Sequence, residues 1–191
     1  CSSSNSTAIS SSRRSSARIE MEVARNNGSL EISEIDPFLA ELLRQIPVST
    51  RPDAVPAAEQ RLYSAPATPN EKEFCAEWKI YVEPGLRRLF QTATETVESD
   101  LRQLAEGEKP FANSILRIPQ EHSEAWLNAL NQARLAIAAK YDFTETELCD
   151  HYRSPIGSRR DLSLFQVNFY GFLQEFILRE MECEGSPEPD E

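Results

Sequence analysis

A chain of 191 residues with 40% hydrophobic content can bury one substantial core, so a single domain is the default. Thirty-one acidic residues against twenty basic ones leave a formal charge of −11. That field repels a nucleic-acid backbone, and binding DNA or RNA would require a concentrated basic patch to overcome it.

Cys1 to Ser16 is serine-rich, with Arg13 and Arg14 its only charges. It offers no apolar segment to bury, so residues 1–16 read as a disordered extension. Two origins fit: a cysteine followed by serines resembles the mature end of a lipid-anchored bacterial protein, acylated at Cys1. Otherwise the stretch is an upstream extension, with Met21 nearer the true start. The globular domain is expected over residues 17–184, and Gly185 onward reads as a disordered acidic tail, 185–191.

Ala17 to Ile35 has the pattern of a β-hairpin. Ile19, Met21 and Val23 alternate with polar residues, Asn26-Asn27-Gly28 supplies the turn, and Leu30 and Ile32 lie on the return. An isolated hairpin is marginal in water, so a third strand is expected, and Ser114 to Ile118 is the candidate. Asp36-Pro37 then suits a helix cap followed by a proline at the first helical position. Phe38, Leu39, Leu42, Leu43 and Ile46 form that helix's apolar stripe.

Residues 47–69 hold prolines 47, 52, 56, 66 and 69 and read as a proline-rich loop, pinned by Leu62 and Tyr63. Asn70 is expected to cap the next helix, with Phe74, Trp78, Tyr81 and Val82 on one face. Pro84-Gly85 should kink or interrupt it, after which Leu86, Leu89, Phe90, Ala93, Val97, Leu101 and Leu104 resume a helical stripe.

The longest uninterrupted helical pattern runs from Gln120 to Tyr141, behind Pro119. At about 100° per residue, Trp126, Leu130, Ala133 and Ile137 share a stripe that Leu127, Leu135 and Ala138 widen. Asn128, Gln132 and Ala139 fall on the other side. Arg134 projects into the apolar arc with Asn131 nearby, and a buried guanidinium needs acceptors for its N–H donors. A carboxylate, amide oxygen or carbonyl from another element should therefore meet it.

Thr144 to Glu147 has the form of a capping box opening a short helix. Arg153 to Arg160 is a loop with three arginines. Asp161 is expected to cap a last helix, which is apolar over more than half its circumference. Gln166, Tyr170, Gln174 and Glu180 on that helix are the candidate partners for Asn131 and Arg134, forming a structural polar network. The architecture is accordingly mostly α within the α+β class: a bundle of about five helices with a small antiparallel hairpin or three-stranded sheet.

The segment Glu124-Ala125-Trp126-Leu127, continued by Leu130, Asn131, Arg134, Leu135 and Ile137, resembles the most recognisable stretch of the bacterial domain of unknown function 2017. The upstream Glu73-Phe74 pair and the aromatic-rich helix Leu164 to Met181 extend the likeness to about Ile19–Met181. The resemblance implies this fold and a bacterial cytoplasmic setting, with no established activity. In actinobacteria the family's genes are associated with that of a protease adaptor, and some members carry a transcriptional-regulator label.

Chemistry-bearing motifs are sparse. The four cysteines (Cys1, Cys75, Cys149, Cys183) form no Cys-x-x-Cys pair. Cys149-x-His151 with His122 is a poor zinc set. The glycines lack phosphate-loop spacing, and no serine sits in a nucleophile elbow. No catalytic residue, metal or cofactor is therefore assigned, and no apolar run reaches the roughly eighteen residues of a membrane span. Two candidate anion sites stand out: Asn131 with Arg134, and the loop arginines Arg153, Arg159 and Arg160 before a helix N-terminus. The expectation is a non-enzymatic interaction or regulatory module with a protein partner or a homodimer. The alternative is a binder of a small anion or ligand, or an enzyme of unrecognised type.

Overall fold

The computed structural model describes residues 21–26, 28–51, 56–68, 70–104, 114–149 and 156–182. The extension 1–16, the tail 185–191 and Arg153 lie outside them. Strands β1 (Glu22–Asn26), β2 (Ser29–Ile35) and β3 (Ser114–Pro119) form one antiparallel sheet in the order β1-β2-β3. Asn26 pairs with Ser29 across the turn, where Gly28 takes φ +76°, a conformation glycine adopts without steric cost.

β2 carries a bulge. Ile32 and Ile35 are three positions apart where their partners on β3, Leu116 and Ser114, are two apart, and Glu34 takes φ +57°. The extra residue resets the side-chain alternation, so Leu30, Ile32 and Ile35 all face the core. Leu116 and Ile118 of β3 are fully buried beside them, while Ile115 and Arg117 face outward.

Among the described residues there are seven α-helices. α1 (Pro37–Ser49) starts as its sequence dictates, with Asp36 Oδ1 accepting from the Leu39 N–H at 2.7 Å and Pro37 in the first turn. The expected loop over residues 47–69 is corrected at two points. Pro47 stays inside α1, near enough to its end that only one late hydrogen bond is lost. Pro56 opens α2 (Pro56–Tyr63) from the first position, where its missing N–H would have no partner anyway. Ala57, Ala58, Glu59, Gln60 and Arg61 then favour helix, and Ala58, Leu62 and Tyr63 are buried.

α3 (Lys72–Tyr81) and α4 (Glu83–Leu101) are separated at Val82, just before Pro84. α3 begins beyond Asn70, and it is Glu71 whose carboxylate ties back to the Thr68 N–H and hydroxyl, at 2.8 and 2.9 Å. α4 ends in a 3-10 turn, Arg102–Leu104. α5 (Ser123–Tyr141) is the centre of the bundle, packed against α1, α2, α4 and α7. Trp126, Ala129, Leu130 and Ala133 are completely enclosed. Gln132, expected on the open side, is buried because helices surround α5 on several sides. Asn131 is exposed.

α6 (Glu145–Cys149) opens with the anticipated box: the Thr144 N–H and hydroxyl donate to Glu147, and the Glu147 N–H returns to Thr144 Oγ1. α7 (Arg159–Glu182) starts earlier than Asp161. Ser158 is its cap, taking the Asp161 N–H on Oγ at 3.1 Å, and Asp161 reaches back to the Gly157 N–H at 3.2 Å. Asp161 is thus the second half of a capping box.

Candidate functional site

α3, ten residues long, buries none of them. It rests mainly on α4 and is tethered by Trp78, whose indole N–H donates to the Tyr63 carbonyl at 3.1 Å. Its remaining apolar side chains face outward: Phe74 is 45% exposed, Ile80 64% and Tyr81 78%. Large apolar side chains clustered at such exposure are uncommon on a surface and mark a contact region.

Between α2, α3 and the start of α4 lies an open groove of about 540 Å³, with Tyr63, Cys75, Trp78, Lys79 and Arg87 among its lining residues. Arg87 is already satisfied. Its guanidinium lies 4.0 Å from the Tyr63 ring centroid and donates to Glu59 at 2.6 Å and Glu83 at 2.8 Å. Those carboxylates, Glu59 foremost, push its pKa further up. The groove is therefore of mixed polarity, with Glu59, Gln60 and Glu83 beside Tyr63 and Trp78, and its arginine is committed.

Arg134 lies in the seam between α5 and α7. It is half-buried and donates through Nη1 to Gln174 Oε1, while Gln174 Nε2 donates to the Leu127 carbonyl at 3.1 Å. Gln174 thus bridges the two helices with both ends of its amide. Among the described residues no carboxylate shares the site and Nε is buried without a partner; burial pushes the Arg134 pKa down.

Tyr170 and Gln166 form a separate chain. Gln166 donates to the Tyr170 hydroxyl at 2.6 Å, and that hydroxyl donates to the Leu42 carbonyl of α1 at 2.7 Å. Burial raises the Tyr170 pKa, so the phenol stays a donor. Asn131 stands exposed apart from both chains, and Glu180 lines a small cleft with Gly28, Gln120 and Ser123. The residues read as one network are therefore two bridges plus two outlying positions.

The arginine loop is similarly divided. Arg160 pairs with Glu147 and stacks 4.6 Å from the Phe143 ring centroid, which fixes α6 against α7. Arg160, and then the Thr144 bonds, push the Glu147 carboxyl down to about 2. Arg159 is exposed. The loop charge is thus partly balanced by an acid already in place.

One polar cluster escaped the sequence reading. Asp100 of α4 is only 6% exposed and accepts from the Trp126 indole N–H at 2.9 Å and from His122 Nδ1 at 3.0 and 3.1 Å. A carboxylate can only accept, so Nδ1 carries the facing proton. Asp100 falls among Val97, Leu101 and Leu104 on the apolar arc of α4, and that misplaced charge is the signal that could have found it.

Among the described residues no group of three or more His, Cys, Asp or Glu side chains could hold a metal ion, and no helix is long and apolar enough to cross a membrane. The Asp100 cluster is an internal brace, the Arg134 seam is a half-buried cation without a counter-charge among the described residues, and α3 is a surface helix with exposed apolar side chains. No curated protein and no solved structure matches the chain. The family model described as Domain of unknown function (DUF2017) matches residues 19–181, so the span containing the sheet and all seven helices up to Met181 coincides with it, and the chain belongs to that family.

Proposed function

We propose that this chain is a non-enzymatic protein-interaction module whose docking element is α3. The observation that carries the reading is a ten-residue helix with no buried residue that nevertheless presents Phe74, Ile80 and Tyr81 to solvent. A helix with that composition gains nothing from water contact, and covering those side chains would recover about 25 cal/mol per Å² of apolar surface. A regulatory role follows if occupancy of this face controls the partner.

The test is photo-crosslinking from position 81 against a control at position 98 on exposed α4, in bacterial lysate. A discrete adduct at position 81 that is absent at 98 and lost on Ile80→Ser is expected. Equal labelling from both positions, or adducts indifferent to Ile80→Ser, would refute the reading.

A second reading, binding of a small anion at Arg134, is favoured by its half-burial with no carboxylate beside it among the described residues. Phosphate, sulfate and small carboxylates should then raise the melting temperature by mass action, and Arg134→Met should abolish the rise. A shift unchanged in Arg134→Met excludes this site.

A further inference from the structure

The exposed side of α3 has a charge pattern as well as an apolar one, and together they specify the occupant. At about 100° per residue, Phe74 and Tyr81 point in nearly one direction, and Glu77, Glu73 and Ile80 follow in turn around an arc of about 120°. Lys79 lines the groove, and Lys72 projects the same way as Lys79. The outer face therefore carries two carboxylates and no base. Glu73 and Glu77 are both exposed, and neither has a hydrogen-bond or ion-pair partner among the described residues. Other exposed acids, Glu98 and Glu124 among them, also lack a partner, so it is the position of Glu73 and Glu77 beside exposed apolar side chains, with no base on that face, that matters.

From this we infer that α3 docks a basic amphipathic helix of a different protein: apolar residues at i and i+3 or i+4 set between Phe74, Ile80 and Tyr81, with flanking lysines or arginines opposite Glu73 and Glu77. This deepens the reading of α3 as a docking helix and rests on it. Charge decides between the possible occupants. A second copy meeting this face about a two-fold axis would bring the carboxylates of the two copies onto one interface with no base on that face to offset them, which costs energy. An anionic membrane surface is repelled by the same carboxylates and by the net charge of −11. A helix bearing lysine or arginine relieves both unpaired acids while its apolar stripe covers the aromatic face, the helix-in-groove mode of recognition.

The probe is a labelled leucine–lysine helical peptide of about four turns, titrated with the full chain by fluorescence anisotropy beside its leucine–glutamate counterpart. Saturable binding of the lysine peptide is expected, weakened about tenfold by the Ile80→Ser/Tyr81→Ser variant. Glu73→Gln/Glu77→Gln should weaken it about three- to tenfold and flatten its salt dependence. Glu95→Gln/Glu98→Gln, which removes equal charge from exposed α4, should leave it unchanged.

If the two glutamine pairs weaken binding equally, the peptide reads only the overall charge and the inference fails. If the glutamate peptide binds as tightly and depends on Ile80 and Tyr81, α3 remains a docking face but its basic partner is wrong. If neither peptide depends on Ile80 and Tyr81, both readings fall. Self-association lost on Ile80→Ser would assign the face to a second copy. Partition onto anionic vesicles lost on that variant would assign it to a membrane.

Discussion

The guanidinium of Arg134 faces the backbone of α7 at Gly171, so that a Cβ placed there would lie 3.3 Å from Cζ, 3.3 Å from Nη2 and 3.4 Å from Nε. Three nearly equal distances mean that the planar group is presented by its face. Mid-helix glycine ordinarily costs up to about 1 kcal/mol relative to alanine, and here it makes room for the arginine. Gly171→Ala should therefore stabilise by about 1 kcal/mol in an Arg134→Met background and by much less, or not at all, in the wild type. Urea unfolding of the four proteins in the cycle measures the coupling, and additivity would show that the two residues do not meet energetically.

That seam also marks how far the sequence could be read. An arginine in an apolar arc demanded an acceptor from another element, and the last helix supplies one through Gln174. The identity of the acceptor was not legible, because Gln166, Gln174 and Tyr170 all lie near that face and only packing distributes them. The hairpin, the third strand, the Asp36 cap and the Thr144–Glu147 box were legible because each depends on residues adjacent in sequence or on strict alternation. α2 was hidden by its prolines, although Pro56 occupies a position that starts helices. The bulge at Glu34 was not legible, since β2 takes its register from the neighbouring strand. The exposure of Phe74 and Tyr81 on α3 was not legible, because an aromatic stripe at helical spacing reads the same whether it faces a core or solvent.

Asp100 is the strongest internal test. Asp100→Ala leaves the buried Trp126 indole N–H without an acceptor and removes a charge-assisted bond to His122, a loss of about 3 kcal/mol by denaturant unfolding. Asp100→Asn should cost about 1 kcal/mol, since its oxygen still accepts from Trp126 while its NH2 turns to His122. The imidazole must then offer Nδ1 as an acceptor, and its ¹⁵N shifts should report the reversed tautomer. A cost below about 0.5 kcal/mol for Asp100→Ala would mean that the cluster does not brace α4 against α5.

Glu147 gives the pH dependence. Its carboxyl is held near 2 by Arg160 first and by Thr144 second, whereas in the unfolded chain it titrates in the ordinary range near 4.5. A depressed folded-state value means that the associated stabilisation is fully present above about pH 4.5 and is lost as pH falls toward 2. Carbon-detected titration of Glu147 should show a midpoint near 2 in the wild type that rises toward the ordinary range in Arg160→Met. An unshifted midpoint in that variant would separate Arg160 from the effect.

The outer edge of β3 supplies the last prediction. Gln103, in the turn after α4, donates from Nε2 to the Arg117 carbonyl at 3.0 Å and accepts the Arg117 N–H on Oε1 at 3.2 Å. One side-chain amide thus reproduces the pair of bonds that a neighbouring strand would make, closing an edge that otherwise invites pairing with another chain. Both residues are exposed, so global stability should fall by no more than about 1 kcal/mol in Gln103→Ala. The local effect is larger: hydrogen exchange at the Arg117 amide should accelerate about tenfold, while the inward-facing Leu116 and Ile118 amides keep their protection. Gln103→Glu separates the two halves of the clasp, because the carboxylate still accepts the Arg117 N–H but cannot donate to its carbonyl. Protection at Arg117 should then survive although the carbonyl has lost its donor, and its disappearance in Gln103→Glu would show that the amide, not the acceptor alone, holds the edge.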